Sequence, residues 1–440
     1  MGFVSSAAAA DPHPEKPVSF AAEIAPILAS KCVACHGPNK SKGSFRLDTF
    51  EHLNQAGDSE ANAVVPGSPD KSLLFTLITT ENPEDRMPQD DDPLTEELAD
   101  RIRRWISEGA HVPEQERSLA VSILAASGRH PAPPTRYPRP NPVHALTFSP
   151  GASLLAVGGF HEITLWELPS GTLRSRWNNM AERIHKLAFS SDGTRLLVVG
   201  GNPGRLGEAL LLDASDGRLL RVLALAPDSL LAGAFSPDGS RVAVAGCDRL
   251  IHIVRTGDGS LEQTLPQHSD WVMDLAFSPS GQRLCSASRD GSARAFLVGT
   301  GEMISAYRGH DQAVMAAAFG LDDSLVFTAS GNQVHAWNPG NGKKEKSGQP
   351  VRTDILAMGR AGDQLWLASS DGSVTSLSVE TPGKATRSLP GPSDAAYSLA
   401  IDAKSHRLAV GGADGSVHVW NLESPEETTR FMASPGWETP

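Results

Sequence analysis

Phe235-Ser236-Pro237-Asp238-Gly239 is a chain reversal written between two strands. Proline presets the backbone for a turn, aspartate bonds its own backbone two residues on, and glycine tolerates the left-handed conformation. The pentapeptide is the cleanest copy of a unit that recurs. Phe148, Phe189, Phe235, Phe277, Phe319, Met358 and Ile401 align as equivalent positions near the end of a first strand. Each unit continues with a small-residue strand such as Leu155-Ala156-Val157-Gly158-Gly159, then a third strand such as Ile163-Thr164-Leu165-Trp166. A Thr/Ser-Gly turn then leads into a fourth. Seven such units fit within residues 142–434. The second is longer by about four residues at Gly201 to Gly207, which suggests an insertion between its inner strands.

A four-stranded repeat of roughly 40–45 residues is the period of a radial β-propeller, whose blades leave only short edges unpaired. Residues 142–434 are therefore expected to form an all-β, seven-bladed propeller, with 435–440 as a C-terminal tail. Ring closure is expected to use the end of the chain, with Thr428 to Met432 as the fourth strand of the last blade. Leu119 to Ile123 is the competing donor. Cys247 and Cys285 fall in neighbouring blades, but about four positions out of register, roughly 13 Å along a strand, which is too far for a disulfide. They are expected as buried free thiols.

The opposite end of the chain carries different chemistry. Cys32-Val33-Ala34-Cys35-His36 is the C-x-x-C-H attachment signature of c-type haem. Two thiols three positions apart project from one turn, so each can add to a vinyl group of the same porphyrin while the adjacent imidazole reaches the iron. His36 is then the proximal ligand. A zinc half-site would need a further Cys or His pair at ligand spacing, and none lies nearby in the sequence. Phe20, Ile24, Ile27 and Leu28 recur at helical spacing before the motif, with Pro26 marking a break or a late start. Ser68-Pro69 suggests an N-cap and first helical position ahead of Leu73, Leu74, Leu77 and Ile78. Thr95 is expected to cap a closing helix with Glu96 and Glu97 in its first turn and Gly109 past its end. Between them, Met87 sits in a polar loop where packing gives a thioether no reason to be, so it is the candidate sixth ligand to iron, with His52 or His111 as lesser alternatives. In so small a domain the haem itself is expected to supply most of the core.

These residues carry a family resemblance. The ordered set Phe20…Ile24-Ala25-Pro26-Ile27-Leu28…Cys32-x-x-Cys35-His36-Gly37, Leu47-Asp48, Pro66-Gly67-x-Pro69-x-x-Ser72-Leu73-Leu74, Arg86-Met87-Pro88 and Trp105-Ile106-x-x-Gly109-Ala110 resembles the planctomycete-type cytochrome c domain, over 18–112. The resemblance implies a small all-α domain with one covalent haem c, bound by Cys32, Cys35 and His36, with Met87 as the second axial ligand. The commoner Met-Pro-Pro is here Met87-Pro88-Gln89. Residues 142–434 resemble WD-repeat propellers: Asp290-Gly291, Asp371-Gly372 and Asp414-Gly415 fit the family's turn aspartate, Trp166, Trp337 and Trp420 its third-strand tryptophan, and Gly309-His310 its Gly-His. No blade carries the full His, Asp and Trp set, so the scaffold of hydrogen bonds is expected to be partial. Residues 110–142 hold seven prolines, so 113–141 is expected as a Pro-rich, semi-rigid linker. Within it the alternation of Leu119, Val121 and Ile123 allows a short strand.

Composition limits the function. The chain of 440 residues is 40% apolar and 20% charged with mean hydropathy −0.23, and has no apolar run long enough for a membrane span. Of its net charge of −12, residues 1–115 hold −9, from ten Lys or Arg against nineteen Asp or Glu, which argues against nucleic acid as a partner. Residues 1–17, with Ser6-Ala7-Ala8-Ala9-Ala10, resemble the tail of a secretory signal, the alternative being a disordered N-terminus; the signal reading makes an exported or periplasmic protein whose true start lies upstream of Met1 the expectation. Two functions follow. The favoured one is an exported, non-catalytic carrier of single electrons whose propeller docks a partner. That partner is a redox protein, expected to be basic because nine acidic side chains crowd residues 81–100. The alternative is a redox enzyme whose propeller binds a second cofactor or substrate. The propeller histidines are scattered through different strands and loops, with no charged cluster at equivalent positions, which favours the carrier.

Overall fold

The computed structural model describes residues 17–38, 40–89, 91–112, 117, 120–127, 130–424 and 428–437. The chain divides into two compact units, 1–129 and 130–440.

In the first unit, α1 (Ala25–Lys31) follows a π-type turn over Phe20–Ile24. Pro26 falls in the first turn of α1, where a missing N–H forfeits no helix hydrogen bond. α2 (Phe50–Leu53) is capped by Thr49, whose Oγ1 accepts from His52 N. α3 (Leu73–Thr79) begins later than Ser68-Pro69 suggests. Pro69–Lys71 forms a separate 3-10 turn, and buried Ser72 holds the corner, its Oγ accepting from Val65 N and donating to Ser68 O. α4 (Glu96–Ser107) matches its spacing: Thr95 Oγ1 accepts from Leu98 N at 3.4 Å, and Gly109 adopts φ +102° just past the last turn.

The largest departure is α5 (Val121–Ser127), a helix where the sequence suggests a tether or a strand. Val121, Leu124 and Ala125 are buried at i, i+3 and i+4, and Val121 N donates to Asp48 O at 2.7 Å beside an antiparallel bridge between Thr49 and Ala120. Leu119 lies outside the described residues. The unit also departs from all-α: His36–Gly37 pairs antiparallel with Lys40–Ser41, and long irregular segments join the helices. Its core is its own rather than left to a cofactor. The Phe20 ring lies 5.6 Å from Phe50 and 5.2 Å from Trp105, amid buried Ile24, Leu28, Leu53, Ile102 and Ile106.

The second unit is a seven-bladed β-propeller. Seven four-stranded antiparallel sheets span 146–178, 183–226, 230–265, 272–307, 314–348, 355–389 and 396–432. The first strand of each packs beside the first strand of the next, and the seventh returns to the first, so these strands surround the axis. In blade 2 the two middle strands, Arg195–Asn202 and Leu206–Asp213, run eight residues each and pair out to Asn202–Leu206, which accounts for its extra length. Thr428–Met432 pairs with Ser416–Asn421 as the outer strand of blade 7, as the chain-end closure requires.

One alignment is corrected. Phe319 pairs with Val326 in blade 5, and the equivalent pair in blade 6 is Arg360 with Leu365, so Arg360 and not Met358 holds the repeat position. An arginine is tolerated there because its Nε donates to Phe319 O and its Nη1 to Gly362 O, both at 2.8 Å. The residues after 130 are not a free linker. Tyr137 Oη donates to Glu162 Oε1 at 2.8 Å and accepts from Phe160 N, Arg176 holds Pro134 O and Thr135 O, and Asn141 N donates to Ser434 Oγ. This strap thus bonds both to blade 1 and to the segment that follows blade 7. Cys247 and Cys285 are both free, Cys285 fully buried and Cys247 only partly so.

Candidate functional site

α1 ends at the motif. Cys32 N donates to Leu28 O as the C-cap, and Cys35 N and His36 N both donate to Cys32 O, at 3.1 and 3.0 Å, closing one tight turn. Gly37 follows because a Cβ there would stand 2.5 Å from the Val33 carbonyl oxygen, too close for any other residue. Leu47 N donates to His36 O at 2.9 Å and Lys42 N to Cys35 O at 3.1 Å, so the next segment is laced to the turn by backbone bonds.

Both motif cysteines are free and half-buried. Burial, reinforced by neighbouring Cys35, pushes the Cys32 thiol up to about 12, so it stays protonated at neutral pH. Lys40 Nζ lies 3.9 Å from Cys35 Sγ. The His36 ring meets the edge of Phe45 at 5.7 Å, and its Nδ1 is 3.3 Å from Phe45 O. A carbonyl only accepts, so Nδ1 carries the proton and Nε2 keeps its lone pair. That is the tautomer a metal-ligating imidazole requires, with the outer hydrogen bond fixing the ring.

Met87 is half-buried, and its N donates to Leu77 O at 2.9 Å. It packs against the same apolar core as Cys32, Val33 and Phe45. Its loop is tied to the motif by Lys31, the last residue of α1, whose Nζ lies 2.6 Å from Asp91 Oδ2, a contact that holds the Asp91 carboxyl below its ordinary range. His52 Nδ1 stands 3.3 Å from Asp48 Oδ1, in the group that also holds Arg46, and His111 is exposed beyond the end of α4. Asp90 of the acidic stretch lies outside the described residues. Asp91, Glu97 and Asp100 are partnered by Lys31, Arg101 and Arg103 respectively, bases that all lie outside 81–100 in sequence.

Among the described residues no group of three or more His, Cys, Asp or Glu side chains converges as a metal site. Cys32, Cys35 and His36 therefore do not meet as a zinc-type ligand set, whereas porphyrin attachment needs the two sulfurs apart on one turn and a single free imidazole nitrogen. The residues present fit that group. Sequence reasoning missed the Phe45 carbonyl and the Lys31–Asp91 pair. A backbone oxygen has no sequence signature, and an ion pair sixty positions apart has none either.

In the propeller the expected scaffold is partial. In blade 4, His268 Nδ1 lies 2.8 Å from Asp290 Oδ2 and its Nε2 2.7 Å from Ser286 Oγ, with Phe296 at the tryptophan position. In blade 5, His310 Nε2 lies 2.8 Å from Thr328 Oγ1 and Trp337 is present, but the turn carries Gly331 in place of aspartate. Blade 7 keeps Asp414, bonded to Ser393 and Ser416, and Trp420.

The comparisons agree with this two-part architecture. Residues 32–91, a span that opens on Cys32 and includes Met87, match the family model described as Planctomycete cytochrome C. Residues 259–296, 301–338 and 383–421 match WD domain, G-beta repeat. The chain is thus a planctomycete-type cytochrome c domain fused to a WD-repeat β-propeller. Among curated proteins it is 38% identical over 78 residues to the mouse (Mus musculus) Intraflagellar transport protein 122 homolog, which is 18% of this chain and 6% of that protein. The Xenopus tropicalis homolog gives 33% over 76 residues, 17% of this chain and 6% of that protein. WD repeat and SOCS box-containing protein 1 of Takifugu rubripes gives 29% over 109 residues, 24% and 25% of the two chains. This chain therefore spans only a small part of the length of these relatives.

Proposed function

We propose that this protein is an exported, non-catalytic c-type haem protein that carries single electrons, with the propeller as its docking scaffold. The observation that carries the reading is the turn at the end of α1: both thiols half-buried on one turn, and His36 Nδ1 bonded to Phe45 O so that Nε2 is free to ligate. One haem c would be held by Cys32 and Cys35, with His36 and Met87 as its protein ligands, and would supply a one-electron iron couple. The chain's own part is positional. The Phe45 carbonyl orients the imidazole, the Leu77 carbonyl anchors the backbone of Met87, and the Lys31–Asp91 pair ties the methionine loop to the motif helix.

Export belongs to the same reading, because thioether attachment of haem is made outside the cytoplasm. Exposed Glu81, Glu84, Asp85, Asp92 and Glu96 border the methionine loop and favour a basic redox protein as partner. Among the described residues, no helix is long and apolar enough to cross a membrane. The test is a pyridine haemochrome spectrum before and after acid-acetone extraction. One haem per chain that resists extraction is expected. A chromophore that extracts completely, or none in a host competent for cytochrome c assembly, overturns the proposal.

A further inference from the structure

The strap and the mouth of the propeller axis enclose a cavity of about 930 Å³, lined by Pro134, Tyr137, Arg139, His144, Phe160, Arg183 and Tyr397 among others. Its volume falls within the range of small-molecule sites. The walls come from three adjacent blades and from the proline-rich strap that Tyr137 and Arg176 pin down.

The lining has two parts of different chemistry. One is flat and aromatic. His144 and Tyr397 stack at 4.8 Å with an interplanar angle of 17°, and Tyr397 and Phe160 remain 37% and 38% exposed, two of the few large apolar side chains left open on the described surface. The other is cationic. Arg139 and Arg183 face a single carboxylate, Glu182, which stands 3.9 Å from Arg183 and is too distant to saturate it. A net positive lining is conspicuous in a chain of net charge −12. His144 and its neighbour His185, 6.1 Å away, are both held below the ordinary imidazole range, first by burial and then by adjacent positive charge. Neutral imidazoles donate one N–H each without adding charge, while the potential of Arg183 disfavours a metal cation at the same spot.

We propose that this cavity binds a small molecule with a flat unsaturated ring system and a carboxylate. The ring stacks on the open face of Tyr397, whose other face is taken by His144, and the carboxylate meets Arg183. The strap forms the cover, so the site depends on the segment that precedes the first blade as much as on the blades. The proposal is independent of haem attachment.

The experiment is calorimetric titration of the full-length protein with 2-naphthoate, alongside 2-naphthalenemethanol, which lacks the charge, and acetate, which lacks the ring. One saturable site is expected for 2-naphthoate and none for acetate at the same concentration. Arg183→Gln should weaken 2-naphthoate about tenfold, the loss of one charge-assisted contact, and leave 2-naphthalenemethanol unchanged. Tyr397→Leu should weaken both aromatic probes. Acetate binding as well as 2-naphthoate, or 2-naphthalenemethanol binding equally tightly, overturns the assignment of ligand class. Absence of saturable binding, or binding that neither substitution alters, overturns the site.

Discussion

Trp105 and Trp337 are both fully buried indoles, and they show how differently their units are held. Trp105 packs on Phe20 and Phe50, at 5.2 and 6.3 Å, and its Nε1 donates to His111 O, so one side chain joins the start, middle and end of its unit. Trp337 stacks on Tyr307 of the preceding blade at 5.5 Å, and its Nε1 has no hydrogen-bond partner among the described residues. Each blade pairs strands that are neighbours in sequence, and that pairing is repeated in all seven blades. The first unit concentrates its stability in a few long-range contacts, while the second distributes it over many local ones. A small domain with little buried surface has less margin for loss.

The largest expected effect sharpens that contrast. Cys32→Ala combined with Cys35→Ala should abolish covalent haem while the propeller's circular dichroism stays unchanged. Loss of the β-sheet signal in that variant would show the two units to be one cooperative structure. Next, Trp105→Ala should cost the first unit about 3–5 kcal/mol, enough to unfold it, and leave the propeller's thermal transition in place. A single shared transition in calorimetry would contradict it.

The same contrast explains what the sequence revealed. The repeat was legible because seven copies of one four-stranded period average out local irregularities, including the loss of the Ser-Pro turn after blade 4, and the alignment slipped at one position, where Arg360 stands in place of an apolar residue. The C-x-x-C-H turn stood out by its spacing and Met87 by its place in a polar loop, although the Met87 side chain packs on the apolar core of its unit. α5 did not stand out. Its three buried residues do show helical spacing, but seven residues between prolines and polar stretches carry too weak a signal, and what orders them is a distant backbone bond to Asp48.

The pH response should also separate the units. Burial holds His144, His185, His268, His310, His335 and His418 below their ordinary range, to about 4 for His185 and about 3 for His310. The unfolded chain binds these protons as pH falls through about 6.5, and the folded propeller does not. Its stability is therefore full above about pH 6.5 and declines as pH drops toward the folded values. The propeller's Tm should fall steadily between about pH 7 and pH 4, and a flat profile would show that these imidazoles are not what limits it. The smallest effect is local. Although burial raises it, hydrogen bonds with Ser292 and His268 hold the Asp290 carboxyl well below the carboxylate range, and Asp290→Ala should cost about 1–3 kcal/mol in urea unfolding. No change would mean that blade 4 is carried entirely by its neighbours.

Intact-mass spectrometry of the chain, expressed with export in a host that assembles c-type cytochromes, tests the central claim most directly. A mass increased by a single haem, localised by digestion to the peptide holding Cys32 to His36, is the predicted result. An unmodified mass, with Cys32 and Cys35 both open to alkylation, would contradict it.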